Sequence, residues 1–496
     1  MLVTCRQMQE TEERAFANNV QAADLMDTAG IGIAQVIRQF FPTPGTLILY
    51  LGSGNNAGDA LVAGRDLQKQ GWTLLARLSG EPEKMKPLPQ AHWFSLSGLS
   101  RLHEAPIASQ PAPIVLLDGL LGIGSQGPMR PNLAALAQEM NQLRISHRAV
   151  TIAMDIPSGL DGDTGQPHPD CVVADITATI AICKTGLVAD EAINHVGRLA
   201  LVPLPQLSAM APGDDSQGCL LTPEFLRPHL PRRNFDFHKG QAGRVGILAG
   251  APGYYGAAEL ACRAALRAGA GLVTLVVKEQ AYDILAQRVP PEIMVKSVKD
   301  YREVLDMRFD ALAIGPGLGF AHEIEYLELI RQTQVRCVVD ADALTALARQ
   351  GPEAVSNSAA AHLFTPHPGE MARLMPDASS LSRREQAEVW AANHIGHTLL
   401  LKGARTIIST LGQDTLYNTT GHPGMATGGM GDVLTGVAAA LIGQGIPTHF
   451  AAGLAAWLCG HAAELHALSH SEESTLPSDV IHHFGQAMRS LSSAAC

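Results

Sequence analysis

The chain has 496 residues, 46% of them apolar and 17% charged, with a formal net charge of −11 at pH 7. That length exceeds one hydrophobic core, so two or three domains are expected, and the composition excludes a disordered chain. The acidic balance has no basic stretch to offset it, which excludes non-specific binding to nucleic acid or a membrane surface; Tyr and Trp are too few for a single-strand stacking platform.

In chain order, "QMQETEERAFANNVQAADLMDTAGIGIAQVIRQF" reads as helix, glycine break, helix. "TLILYLG" is a short apolar run ending at glycine, "GDALVAGRDLQKQG" has helical apolar spacing, and "WTLLARLSG" is apolar again. "PIVLLDG", "RAVTIAMDIPSG" and "ITATIAICK" are further strand candidates. Apolar strands alternating with helical patterns predict an α/β fold with a parallel sheet wrapped on both faces. A seam rich in Pro, Gly, Ser and Asp, "LPQLSAMAPGDDSQGCLLTP", divides the chain into residues 1–212, a linker over 213–224, and residues 225–496. Beyond it the pattern restarts with "GRVGILAGAPGYYGAAELACRAALRAGAGLVTLVV". "DALAIGPGLG", "VRCVVDADAL", "AAHLFTPHPGE" and "TLLLKGARTII" follow as strands that end in polar or glycine-rich loops. The loop signatures of the two halves differ, so they are not repeats.

The eight cysteines show no CxxC or Cys/His ligand spacing, which predicts free thiols in a reducing compartment. The N-terminus carries no apolar signal-like region, and no apolar run is long enough to span a bilayer. A cytoplasmic location is expected, and a homo-oligomer with no membrane or nucleic-acid partner.

Ligands of open α/β sheets sit beyond the carboxyl ends of strands, so the strand-end loops carry the functional reading. In the first half these are "GSGNNAGD", "LLDGLLGIGSQGP" and "MDIPSGLDGDTG". Each is also a good tight turn with a helix cap. Gly52, Gly54 and Ala57 satisfy a loose G-x-G-x-x-A, and a helix starting near Gly58 would favour phosphate. A hydride-transfer Rossmann domain would place an acid at the end of the second strand for the ribose; "WTLLARLSG" offers Arg77 instead. Asn56, Asp118 and Ser158 are hard oxygen donors on three strand ends, suited to a monovalent or divalent cation if they converge. Asp155 is a candidate general base, or else a helix cap or ribose ligand.

Taken together, "GSGNNAGDALVAGRDL", "DGLLGIGSQGP" and "DIPSGLDGDTG" resemble the epimerase domain of the bifunctional NAD(P)H-hydrate repair enzymes, over most of residues 1–210. The resemblance implies a Rossmann-like three-layer domain that epimerises R- and S-NAD(P)HX, the hydrated and redox-inactive nicotinamides. It implies contacts to the hydrate from Asn55, Asn56, Ala57, Gly58 and Asp59, and from Gly122, Ile123, Gly124, Ser125, Gln126, Gly127 and Pro128. It places a potassium ion with Asn56, Asp118 and Ser158, and sets Asp155 against the hydrated ring as acid or base.

In the second half, "MATGGMGDVLTG" is the sharpest feature. Glycines opening a small-residue helix give an anion hole of N–H groups, and Asp432 beside them suits the base of a phosphoryl transfer. A plain helix cap is the alternative role. "LKGART" could place Lys402 near nucleotide phosphates or be a strand-end turn, and His367 sits rigidly between two prolines. No G-x-x-x-x-G-K-[ST] is present, which excludes a P-loop enzyme.

With "HKG…GRVGILAG", "GPGLG", "TPHPGE" and "LKG", this half resembles the ribokinase-like superfamily and, within it, the ADP/ATP-dependent NAD(P)HX dehydratases. That resemblance implies hydrate contacts at Ala257 (Ala258 fits the same place), Gly317, His367 and Asp432. It assigns the adenine nucleotide to Lys402, Gly403, Ala404, Arg405, Thr406 and Gly431. Many relatives carry threonine where this chain has Met430; the backbone N–H is kept. NADHX or NADPHX and ADP or ATP are the expected small-molecule substrates, with Mg2+ to shield the polyphosphate. Two other readings compete, a vitamin or sugar-alcohol kinase with an accessory domain and a nucleotide- and cation-sensing binding protein without turnover; a third, a nicotinamide dehydrogenase, is disfavoured by the missing ribose-binding acid and the pair Asn55 and Asn56.

Overall fold

The computed structural model describes residues 1–104, 110–125, 127–211, 218–351, 355 and 358–493, and forms two compact units, Met1–Gln217 and Gly218–Cys496.

The N-terminal unit is built on a seven-stranded parallel sheet. Its spatial order is Ser100–Leu102, Thr73–Leu78, Thr46–Leu51, Ile114–Gly119, Val150–Met154, Ile176–Ile180, Arg198–Val202. The chain starts at Thr46–Leu51, winds outward one way, then crosses to Ile114–Gly119 and winds the other way. This is a Rossmann order, and its topological switch point lies between those two strands. Thr46–Leu51 is buried along its whole length because both faces are covered. Leu47, Leu49 and Leu51 pack with the helices Ala22–Phe40 and Asn55–Gln68, while Ile48 and Tyr50 pack with the helix Pro131–Ser146.

The glycine break expected in the opening segment is elsewhere. The first helix, Cys5–Ala17, ends at Asn18, Asn19 turns at φ +62°, and the second helix runs unbroken over Ala22–Phe40. Gly30 and Gly32 lie inside that helix, where a Cβ would fall 2.5 Å from Val62 Cβ and 2.4 Å from Val202 Cγ1. These glycines serve close packing rather than a bend. A short parallel pair, Leu2–Val3 with Cys183–Lys184, ties the N-terminus beside the sheet.

The C-terminal unit carries a ten-stranded sheet in the order Cys219–Leu221, Leu416–Asn418, Ile407–Thr410, Thr398–Leu401, Leu363–Phe364, Cys337–Val339, Ala311–Ile314, Arg244–Leu248, Leu272–Lys278, Ile293–Val298. "TLLLKGARTII", read as one strand, is two antiparallel strands folded at Lys402–Thr406. Cys219–Leu221, placed in the linker from sequence, is the edge strand of this sheet, parallel to Leu416–Asn418. The switch point lies between Arg244–Leu248 and Ala311–Ile314. The helix Met430–Gly443 is buried almost throughout, packed with Tyr255–Arg267 and Thr448–Ala467 in the largest apolar core. No helix among the described residues is long and apolar enough to cross a membrane.

Candidate functional site

Both switch points gather the polar residues that the strand-end loops supply. In the N-terminal unit the helix starts at Asn55, three residues before the expected Gly58, with Gly54 as its cap. Its first-turn N–H groups therefore belong to Asn55 and Asn56. Ala57 and Gly58 are buried against the protein, and a Cβ on Gly58 would meet Met26 Sδ at 2.4 Å. Gly52 makes the loop possible, because a Cβ there would lie 2.0 Å from the Leu120 carbonyl oxygen.

The three expected cation donors are linked through one loop. Asn56 Nδ2 donates to the Leu121 carbonyl at 2.7 Å, and the Leu121 N–H donates to Ser158 Oγ at 3.0 Å. Ser158 in turn donates to both oxygens of Asp118, from its hydroxyl and its N–H, each at 2.7 Å. Asp118 is fully buried; that burial pushes its carboxyl up to about 6, against the lowering effect of the Ser158 and Leu120 hydrogen bonds. Gly122 faces Asn56, Ile123 packs toward the first helix's apolar cluster, Ser125 donates back to the Gly122 carbonyl, and Gly124, Gly127 and Pro128 are exposed. Gln126 lies outside the described residues.

Asp155 follows the strand Val150–Met154 with φ +65°, in the left-handed region that few residues with a Cβ adopt and that Asp tolerates better than most. Its Oδ1 accepts from the Ile180 N–H at 3.0 Å and from the buried ammonium of Lys184. Asp59 and Glu12 share this neighbourhood. Desolvation, then the charges of Asp155 and Glu12, hold Asp59 well above the usual carboxylate range. Glu12 is raised by burial and by Asp155, with Lys184 opposing. Sequence reading missed Glu12 and Lys184. Lys184 ends the strand candidate "ITATIAICK", so its charge next to an apolar run was the available signal.

Arg77, which stands where a ribose-binding acid would be, is held by Glu139 through Nη2–Oε2 at 2.6 Å and Nε–Oε1 at 2.8 Å, and Tyr50 donates to the same carboxylate. The end of the second strand is thus a closed ion pair and not a ribose site.

In the C-terminal unit, Gly429 caps the helix Met430–Gly443 at φ +98°, leaving the first-turn N–H groups without intrahelical acceptors. Asp432 lies in that turn. Burial and the charge of Asp340, then of Asp342, push its carboxyl up to about 7, with Lys402 pulling the other way. Beneath it, Asp340 is buried between two donors: Lys402 Nζ at 2.8 Å on Oδ1 and Thr435 Oγ1 at 2.7 Å on Oδ2. A Cβ on Gly431 would lie 3.4 Å from Lys402 Nζ, so this pair sits directly under the glycine turn. Burial works against the Lys402 ammonium, yet Asp340, Glu370 and Asp432 raise it above the ordinary lysine value. Asp340, Glu370 and Thr435 were missed from sequence because their partners lie far along the chain.

The other expected residues ring the same strand ends. Gly317, at φ +52°, lies against Tyr254 and Ala257, while Ala258 points into the core; Ala257 is the one that faces the glycine loop. His367 caps the helix Pro368–Leu374, its Nδ1 accepting from the Gly369 N–H at 3.0 Å, and its side chain remains 52% exposed. Arg383 Nη2 donates to the Lys402 and Arg405 carbonyls at 3.3 and 3.1 Å, which fixes the Lys402–Thr406 turn; Arg405 itself is buried. Ala404 lies in the same turn, and Thr406 Oγ1 donates to the Gly403 carbonyl at 3.2 Å.

A family model described as "NAD(P)H-hydrate dehydratase" matches residues 245–484, and one described as "YjeF-related protein N-terminus" matches residues 22–186. A protein of Moorella thermoacetica named bifunctional NAD(P)H-hydrate repair enzyme is 35% identical, covering 99% of this chain and 97% of its own. A Vibrio cholerae protein of the same name is 32% identical, covering 98% and 97%. A solved ribokinase-like superfamily protein of Enterococcus faecalis is 28% identical with a TM-score of 0.50, covering 57% of this chain and 99% of that one. With both halves matched and nearly full coverage in each direction, the chain belongs to the family of bifunctional NAD(P)H-hydrate repair enzymes.

Proposed function

We propose that this chain returns hydrated nicotinamide dinucleotides to use. Its N-terminal unit interconverts R- and S-NAD(P)HX, and its C-terminal unit dehydrates the S form at the expense of ADP or ATP. The observation that carries the reading is Asp432, a base poised at about 7 at the start of a glycine-opened helix.

In the C-terminal unit Asp432 takes the proton of the C6 hydroxyl, and that oxygen attacks the terminal phosphoryl of the nucleotide. The bond to the departing AMP or ADP breaks, and the N–H groups around Gly431 stabilise the charge on the moving phosphoryl. Phosphate then leaves C6 with its bonding pair, a proton leaves C5, and the C5–C6 double bond of NAD(P)H forms. Mg2+, when bound, shields the polyphosphate. The described residues hold no cluster of three or more His, Cys, Asp and Glu fit for a metal, which suits an ion carried mainly by phosphates and water.

In the N-terminal unit inversion at C6 requires one bond to open and re-form on the other face. Asp155 takes the hydroxyl proton, the N1–C6 pair moves to N1, and N1 gains a proton. After the carbonyl turns, the steps reverse. Asp59, raised as it is, suits the proton donor. Potassium would be held by Asn56, Asp118 and Ser158. The fit rests on Asp118, a buried carboxyl with hydrogen-bond donors but no cationic side chain against it among the described residues. Replacing K+ by tetramethylammonium should lower the epimerisation rate roughly tenfold or more and leave dehydration unchanged, and Asp118→Asn should erase the difference between the salts. Equal rates in both salts would remove the cation from the account.

A small-molecule kinase is the competing reading. Purified S-NADPHX with ATP and Mg2+ separates the two: repair yields NADPH and inorganic phosphate in equal amounts. A stable phosphorylated product without NADPH would establish the kinase.

A further inference from the structure

The side chain in direct contact with Asp155 is Lys184. Lys184 is 1% exposed, which for a lysine requires a compensating partner. Its ammonium contacts Asp155 Oδ1 and donates to the Ile180 carbonyl at 3.0 Å, while the Ile180 N–H donates to the same Oδ1 at 3.0 Å. One oxygen of Asp155 is therefore taken up by the protein from two directions. The φ of +65° at Asp155, together with its N–H bond to the Ala178 carbonyl at 2.8 Å, fixes the backbone from which the carboxylate projects. Oδ2 receives no hydrogen bond among the described residues and remains for a ligand.

The short strand Cys183–Lys184 that carries the ammonium is itself pinned, pairing with Leu2–Val3 in the register Val3 to Lys184. The helix that follows brings Cys5 and Glu12 to the same place, and Asn55–Gln68 brings Asp59. Asp155 is thus faced by two carboxyls, by the Cys5 thiol, which burial and then Asp163 push up to about 12, and by the Lys184 ammonium; the charge of Lys86 also acts on Glu12.

We propose that Lys184 is a positioning residue of the epimerase site, holding the Asp155 carboxylate in one orientation with Oδ1 bound to the protein and Oδ2 free to take the substrate proton. The inference rests on the epimerase reading of the N-terminal unit. Without the ammonium, only the Ile180 N–H still holds Oδ1, and the fixed orientation of the carboxylate is lost.

The test uses the full chain, in which dehydration of S-NADPHX by the C-terminal unit normalises the amount of protein and Tm reports the folding of the unit that carries Lys184. Lys184→Met should lower kcat for epimerisation roughly 10²-fold with KM changed less than about threefold. Lys184→Arg should recover at least about tenfold of that loss, and dehydration should be unchanged in both variants. Epimerisation by Lys184→Met with kcat within about threefold of wild type would overturn the proposal. So would equal inactivity of Lys184→Arg and Lys184→Met accompanied by a lowered Tm in both, which would make the lysine purely structural. A wild-type chain that does not epimerise at all would instead remove the reading on which the inference rests.

Discussion

Asp432→Asn should abolish dehydration of S-NADPHX, lowering kcat by roughly 10³-fold or more, while epimerisation in the same preparation continues at the wild-type rate. The amide keeps the volume of the side chain at the start of Met430–Gly443 but cannot take the C6 hydroxyl proton. In the wild type the base works only when deprotonated. With its carboxyl at about 7, dehydration should fall tenfold per pH unit well below that value and level off above it. Burial sets most of this elevation and the Asp340 charge adds to it. Asp340→Asn should therefore move the acid limb to lower pH, the more so because it frees Lys402 from its 2.8 Å partner to act on Asp432. A pH profile of kcat for the three proteins checks this. An unmoved limb in Asp340→Asn would place the rate-limiting proton elsewhere.

Asp155→Asn should have the corresponding effect in the other half, a loss of roughly 10²-fold or more in epimerisation, with dehydration of pure S-NADPHX untouched. The substitution retains an oxygen to accept from the Ile180 N–H but removes the charge that Lys184 is buried against. Chromatographic separation of the epimers over time measures it directly. An Asp155→Asn chain that interconverts them at the wild-type rate would end its role as the base.

The two units explain why so much of the site could be read from sequence. In a parallel α/β sheet a functional side chain sits one or two residues past an apolar strand, so Asp118, Asp155 and Asp432 were visible as polar residues ending apolar runs or opening a small-residue helix. What could not be read is pairing across the sheet. Lys184 looks like the last residue of a strand until the left-handed turn at Asp155 is seen to bring its carboxylate over that ammonium. Asp340 looks like a helix cap, and its side chain instead bridges Lys402 and Thr435, 62 and 95 residues away in sequence. The glycines of the second helix were misread for a related reason. Gly30 and Gly32 signal a break by propensity, and only the approach of Val62 and Val202 reveals that they are there to let neighbours close in.

Arg77 stands at the end of the second strand, where a ribose-binding acid would be. The missing ribose acid disfavoured a dehydrogenase, and the closed Arg77–Glu139–Tyr50 network gives the physical reason: that strand end stabilises the sheet's own face.

The most direct measurement of the central claim supplies an equilibrated mixture of R- and S-NADPHX with ADP or ATP and Mg2+, and follows the return of NADPH absorbance. The wild-type chain should convert the whole mixture in one continuous progress curve. Asp155→Asn should stop when the S form is consumed, apart from slow spontaneous epimerisation, and Asp432→Asn should return none. A wild-type curve that halts at the S fraction would contradict the epimerase half, and one that returns no NADPH would contradict the account as a whole.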